Sequence, residues 1–528
     1  MAAETFPLLL HPGRAQLNQT SFDPNFYVWS LRWWPQAITH GLNPLYSAQI
    51  GAPAGYSLAW VTSIPSLALL VWPVTLLAGP VVSFNLLVVA AIPASGWAAF
   101  VLCRRLTGRF WAALAGGAVY GFSAYELNHV GAGQLNLAFA VLPPLMLYLV
   151  LAWRDGAIGS RVFVVALAIA LAIQFYLFIE TFAELTVLVA AGLALGYWLA
   201  GAQGREFVAG LARRVLAAYL LAGALALPDL GYALTHVPAG FNRDPSTSAV
   251  GLLQLIIPRR GQDFGIHWLT RYAATPVPAA DGYVGVPLLL LAVAAAIVTW
   301  SSRLTRFLVV MIAVSLLAAF GPVLEEVGPW HVTLPWSRLW YLPLARGSYP
   351  ARFMLFVFLG LAVVTALWLA RPGWRFWPRW LLAAAALAAI AANTPALSIA
   401  GQSATGPAFI TTGEYRHYVA PGATVLVLSG RGNAGMLWQA ETGFYFRIAE
   451  GFINRAITSD GDYPPAVTDL AKGTLTASKE QAFRAYLRKA GIQTILVDRG
   501  SAQRWPAILA SLGLSDTEHE GVLVYRVR

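Results

Sequence analysis

The run Val82-Ser-Phe-Asn-Leu-Leu-Val-Val-Ala-Ala-Ile-Pro-Ala-Ser-Gly-Trp-Ala-Ala-Phe-Val-Leu-Cys103 is followed at once by Arg104-Arg105. Wound as a helix, an apolar run of this length matches the hydrocarbon core of a bilayer. Working outward, comparable runs lie near 110–124, 135–153, 161–179, 182–200, 211–231, 283–301, 305–322, 352–370 and 379–395, about ten in all. The stretch 58–79 differs, because Pro65, Pro73, Thr62, Ser63 and Ser66 interrupt it. It reads as an interfacial or re-entrant segment. Composition agrees: the 528 residues are 58% hydrophobic and only 11% charged, against about 25% charged in an average soluble domain. Lipid must replace water over much of such a surface.

Arginine placement orients the spans. One set of alternate loops carries Arg104, Arg105 and Arg109, then Arg154 and Arg161, then Arg205, Arg213 and Arg214, then Arg303 and Arg306, then Arg371, Arg375 and Arg379. These loops read as cytoplasmic. The long connections 232–282 and 323–351 and the turns 125–134 and 179–182 then face outward, as do residues 1–80 and the tail from 396 to 528. An outward start is expected to mean either that the short N-terminus is translocated unaided or that a first transmembrane helix lies upstream of this sequence.

The tail has β-branched runs at Thr424-Val-Leu-Val-Leu428, Thr494-Ile-Leu-Val-Asp498 and Val522-Leu-Val-Tyr-Arg-Val527, with a helical pattern over 478–490 between them. The fold class is therefore a mainly α, polytopic transmembrane helix bundle with interfacial helices and a small C-terminal extracytoplasmic α/β domain. The domains fall at 1–80, an acidic external loop; 81–395, the transmembrane part; and 396–528.

The net charge of +11 does not indicate nucleic acid. Before Lys472 every basic residue other than histidine is an arginine, clustered between apolar runs as in cytoplasmic loops rather than on a phosphate-binding face. Cys103 is alone, which excludes a disulfide framework and a thiolate metal site. Walker A, GxGxxG, HExxH and GxSxG patterns are absent, and nothing points to ATP-driven transport.

Five outward groups carry candidate chemistry. Asp23 stands in Ser21-Phe-Asp-Pro-Asn-Phe-Tyr-Val-Trp-Ser-Leu-Arg-Trp-Trp-Pro35, ahead of an amphipathic stretch with Trp29, Trp33 and Trp34 that suits an interfacial helix. It reads either as a general base for an acceptor hydroxyl or as an N-cap before Pro24. Tyr125-Glu-Leu-Asn-His129, with Gly131, Gly133, Gln134 and Asn136, places Glu126 and His129 one helical turn apart. This group reads as a site for a divalent metal or a phosphate-linked ligand, or as a polar headgroup loop. Glu180 and Glu184 lie near the end of an apolar run, where carboxylates are costly, and read either as functional acids or as the point where the chain surfaces. Arg259-Arg260 follows an interfacial run and reads either as a headgroup contact without specificity or as a partner for a lipid phosphate. Arg346-Gly-Ser-Tyr-Pro-Ala-Arg352 puts two arginines on the outward side, against the usual bias, where they serve an anion or snorkel.

This layout resembles the C-type glycosyltransferase superfold of polytopic enzymes, which includes oligosaccharyltransferases, protein O-mannosyltransferases and the aminoarabinose transferases of lipid A. It is also similar to a family of bacterial membrane proteins common in high-GC genomes. That second similarity rests on Asn43-Pro-Leu45, Gly79-Pro-Val-Val-Ser-Phe-Asn85, Gly121-Phe-Ser-Ala-Tyr125 with His129, Gly282-Tyr-Val-Gly-Val-Pro287, Arg346 through Phe353, and Met436-Leu-Trp-Gln-Ala-Glu-Thr-Gly-Phe-Tyr-Phe-Arg447. The resemblance implies a catalytic acid at Asp23 and a second acidic site at Glu126. It implies substrate contacts at His129, Glu180, Arg259, Arg260, Arg346 and Arg352. It also implies a polyprenyl-phosphate-linked sugar donor, an envelope glycan, lipid or protein acceptor, and a bacterial plasma-membrane location. A DxD pattern is absent from the second site, so the cofactor is either none or a divalent metal, Mg or Mn. The competing readings are a non-catalytic lipid or polysaccharide export or assembly component of the same architecture, and a structural partner whose tail recruits others. Convergence of Asp23, Glu126, His129, Glu180 and Arg352 on one outward cavity separates the enzyme from both.

Overall fold

The computed structural model describes residues 8, 10–13, 16–17, 22–237, 249–257, 282–325, 331–339, 348–373, 376–392, 399–400, 405–430, 432–451, 469–470, 475, 479–501 and 505–527. Each of the ten apolar runs falls on helix. Among the described residues, six helices are long and apolar enough to cross a membrane: Pro80–Thr107, Leu135–Arg154, Ser160–Leu177, Ile179–Leu199, Ala202–Leu225 and Pro350–Leu369. Phe110–Gly121, Val286–Thr299, Arg303–Ala319 and Trp377–Ala392 are shorter apolar helices. Residues 58–79 form no continuous span. They fold into Pro65–Leu70 and Trp72–Ala78, of six and seven residues, which rise only about 10 Å each.

Small residues let the central helices approach closely. A Cβ on Gly117 would lie 2.7 Å from the Gly96 carbonyl oxygen, and one on Gly121 would lie 2.8 Å from the Gly96 Cα. Pro80–Thr107 and Phe110–Gly121 therefore meet backbone to backbone, the small-residue packing that lipid favours. Against them lies Met354–Leu369, apolar on all sides and buried along most of its length, as a helix enclosed by other helices must be.

The bundle has two chemically distinct ends. Arg105 pairs with Asp155 at 3.3 Å, and Arg214 donates to the Ser160 hydroxyl at 3.0 Å, so the arginine-bearing loops collect on one face. The helix Pro80–Thr107 runs from that face to the other over 28 residues, roughly 40 Å. At its far end, Phe84 packs beside Pro24 and Gly133.

The tail covers this far end. Its five-stranded sheet runs Asp516–His519, Val522–Arg526, Ile492–Asp498, Thr424–Leu428, Arg447–Ile448, and the last three strands are mutually parallel. Thr424–Leu428 is buried throughout. Val425 and Val427 face the core shared with the membrane helices, while Leu426 and Leu428 face a second core under the helix Glu480–Lys489. Beyond Arg447–Ile448 the first loop continues the sheet. The Ile448 amide donates to the Gln49 carbonyl at 2.9 Å, and the Ala52 amide donates to the Ile448 carbonyl at 3.1 Å. The loop covers an edge that would otherwise stand open.

The helix Asp23–Thr39 corrects one expectation. It is not an amphipathic rod on the membrane surface, because the tail takes the place of lipid. Trp29 and Trp33 are fully buried and stacked at 5.3 Å, with the Phe444 ring edge-on to both at 5.7 and 5.6 Å. Asn25 donates to the Gly432 carbonyl at 2.6 Å, and the Trp29 indole donates to Gln439 Oε1 at 3.0 Å. Asp23 thus lies on the tail side of the bundle.

Candidate active site

Asp23 opens its helix without capping it. The N-cap position is Phe22, no side chain bonds the first turn, and Pro24 occupies a position that needs no amide donor. The cap alternative therefore fails. The carboxylate instead accepts from Gln134 Nε2 at 2.7 Å. Asp23 is half-buried, and burial raises its pKa above the usual 3.8, outweighing the Gln134 bond and the nearby Arg352 and His129 charges.

Gln134 is aimed by the turn before it. Gly133 has φ +68°, and a Cβ there would lie 2.8 Å from Pro24 Cγ, so only glycine lets this turn close on the Asp23 helix. Because Gln134 Nε2 donates to Asp23, its Oε1 must accept. His129 Nδ1, 2.7 Å from that Oε1, is therefore the protonated ring nitrogen. A chain of donors runs from His129 through Gln134 to Asp23. One turn along the Asp23 helix, the Tyr27 hydroxyl donates to Asn136 Oδ1 at 2.6 Å and ties the same two segments again.

Arg352 enters from the other side, in the 3-10 turn Pro350–Phe353. It pairs with Glu180, and its guanidinium lies 4.7 Å from the Phe178 ring centroid and 4.5 Å from that of Tyr349. The Tyr349 amide donates to Glu180 Oε1 at 2.6 Å, and the Ser348 hydroxyl donates to Glu184 Oε1 at 3.4 Å. Arg352 is thus clamped rather than snorkelling, with Asp23, Tyr27 and Tyr125 in electrostatic reach. The clamp forms because the chain is extended at Phe178 (φ −163°) and starts a new helix at Ile179, placing Glu180 in a first turn.

The structure brings together Asp23, His129, Glu180 and Arg352. It does not bring Glu126 to them. Ser123 caps the helix Ala124–Gly131, and Glu126 turns into the bundle against Ser95 and Tyr120, fully buried, where desolvation pushes its pKa well up. Arg259, Arg260 and Arg346 lie outside the described residues. The Mg or Mn alternative finds no donor set among the described residues. Among the described residues no three His, Cys, Asp or Glu side chains form a metal-sized group, Glu180 is engaged by Arg352, and Glu126 faces away. Tyr27 escaped the sequence reading, although its place four residues after Asp23, on the same helix face, was the signal for it.

No family model matches the chain, and no curated protein matches it. Solved structures do. The arabinofuranosyltransferase AftD from Mycobacteria aligns over 100% of this chain and 39% of its own, at 15% identity and TM-score 0.60. The chain thus spans about two fifths of that enzyme's length. The oligosaccharyltransferase of Archaeoglobus fulgidus aligns over 99% of this chain and 73% of its own, at 11% identity and TM-score 0.52. ArnT from Cupriavidus metallidurans, bound to undecaprenyl phosphate, aligns over 99% and 96%, at 11% identity and TM-score 0.50. A multi-pass membrane bundle with a tail domain over one end, matched along its whole length by these enzymes, has the fold of the C-type membrane glycosyltransferases.

Proposed function

We propose that this protein is a membrane glycosyltransferase that moves a sugar from a polyprenyl-phosphate-linked donor to an acceptor on the extracytoplasmic face of a bacterial plasma membrane, with Asp23 as general base. The observation that carries the reading is the setting of Asp23. Its carboxylate caps nothing, is held from a distant turn by Gln134, and has Arg352 in electrostatic reach. Burial makes it a stronger base than an exposed aspartate. The side assignment is supported by the arginine loops collecting at the opposite end of the bundle. The donor class is supported by the fold's occurrence in ArnT bound to undecaprenyl phosphate.

In the proposed step Asp23 takes the proton of an acceptor hydroxyl as its oxygen attacks the anomeric carbon. The bond from that carbon to the phosphate oxygen breaks, and the polyprenyl phosphate leaves with the electron pair. Arg352 has five N–H donors in a rigid fork, so it can hold Glu180 and still meet the phosphate. Gln134 and Tyr27 orient the base and its helix, supplying catalysis by positioning.

The test is Asp23→Asn in the full chain, assayed in vesicles with radiolabelled polyprenyl-phosphate sugars. Transfer is expected to fall by about three orders of magnitude or more, with expression and thermal stability retained because the carboxylate supports no cap. Wild-type turnover in that variant overturns the role of Asp23 and favours the export or assembly reading.

A further inference from the structure

A concavity lies at the start of the parallel strands of the tail. Its volume is about 410 Å³, within the usual range for small-molecule and sugar sites. Three cations reach it from two elements: Arg447 from the short edge strand, and Arg488 and Lys489 from the last turn of the helix Glu480–Lys489. Its walls hold no carboxylate. Among the described residues, no acidic side chain pairs with any of the three. The helix dipole accounts for Arg488 and Lys489, which sit at a helix C-terminus. It does not account for Arg447. That guanidinium is anchored on the tail side, its Nε donating to the Gly422 carbonyl at 2.9 Å, and it helps line the same cavity. Like charges gathered in a concave wall repel each other and focus a positive field, and an anion relieves both effects. Pro53 of the first loop completes the wall, so the cavity forms only when the loop and the tail are joined.

We propose that this cavity binds the anionic part of an acceptor glycan, a sugar chain bearing carboxylate or phosphate groups. The inference rests on the glycosyltransferase reading and names its acceptor class. Several wall features favour a sugar. Among the described residues the walls carry no aromatic ring on which a nucleobase would stack. Gln493 supplies an amide for sugar hydroxyls beside the three cations, which supply charge-assisted bonds to the anion. A concavity of this size suits a sugar unit or two, whereas a membrane surface would engage a flat or convex patch.

The experiment uses the full chain in nanodiscs of phosphatidylcholine, titrated by calorimetry with tetragalacturonate, with uncharged maltotetraose and with inorganic phosphate. Tetragalacturonate is expected to bind, maltotetraose not to bind, and phosphate to compete weakly. The triple variant Arg447→Gln, Arg488→Gln, Lys489→Gln should weaken tetragalacturonate by about tenfold or more, and the double variant Arg488→Gln, Lys489→Gln by about threefold. Arg488 and Lys489 are exposed, so the double variant keeps the test valid if loss of Arg447 disturbs the fold. Equal binding of maltotetraose, an unchanged affinity in the double variant, or binding that follows added phosphatidylglycerol instead of the sugar overturns the proposal. The last result would assign the patch to the membrane. The two readings fail separately. Binding as expected with no sugar transfer by the wild type sinks the enzyme reading and leaves this site. Asp23-dependent transfer to a charged acceptor with an unaltered KM in the double variant sinks this site and leaves the enzyme.

Discussion

Gln134 Nε2 donates to Asp23 Oδ2 at 2.7 Å across a sequence separation of 111 residues. The bond stabilises the ionised carboxylate, while burial opposes it and raises the Asp23 pKa overall.

That balance sets a pH dependence. Asp23 must be ionised to act as base, so kcat/KM should rise with pH through its folded pKa, which lies above 3.8. Gln134→Leu removes the bond that lowers the pKa, so the acid limb of the profile should move to higher pH. An acid limb that stays in place in Gln134→Leu would dissociate the two residues.

The Arg352–Glu180 pair is nearly enclosed, with side chains 14% and 11% exposed. Removing either partner strands a buried charge, at a cost of about 3–5 kcal/mol. Arg352→Met and Glu180→Gln should each lower the melting temperature strongly, and the double variant should lose much less than the sum. Additive losses in a thermal-shift cycle would mean the pair is not coupled.

Gln439 joins the tail to the first loop. Its Nε2 donates to the Gln49 carbonyl at 2.7 Å and to the Phe446 carbonyl at 2.9 Å, while its Oε1 accepts from Trp29. The side chain is fully buried. Gln439→Leu removes the partner of the Phe446 carbonyl and of the Trp29 indole N–H, leaves the Gln49 carbonyl with the Ile448 amide, and should cost about 2 kcal/mol or more. Limited proteolysis should then cut the loop around 40–60 faster than in the wild type, and an unchanged cleavage rate would count against the loop and tail being held together here.

Glu450 makes the tail sensitive to alkali. Burial pushes its carboxyl from 4.5 up to about 8, although its Oε1 accepts from the Val427 amide at 3.0 Å. Glu441 is pushed up to about 7 by the same cause. A folded pKa above the unfolded one means that the stability Glu450 contributes is fully present below about pH 4.5 and is lost as pH rises towards 8, by an amount on the order of a few kcal/mol. Glu450→Gln should flatten that slope in melting curves taken from pH 5 to 8.5, and an undiminished slope would place the titration elsewhere.

The sequence by itself determined the membrane character, the ten apolar helices, the interrupted 58–79 stretch and the strands of the tail. These follow from local periodicity and from the cost of exposing backbone or charge to lipid, which neighbouring residues suffice to decide. It also drew attention to Asp23, His129, Glu180 and Arg352, because polar groups at span ends are rare. Only the tertiary structure decided what those groups do together. The Trp29–Trp33 face read as amphipathic because nothing in residues 23–39 announces that a tail helix some 400 residues later will replace the membrane as its cover. Glu126 and His129 share a helix, yet one reaches Gln134 and the other is driven into the core. That choice depends on which helices pack against each side, and spacing carries no record of it. The half-buried Asp23 needed Gly133, Pro24 and Gln134 to meet, a contact between distant segments whose free energy appears only when the chain is folded.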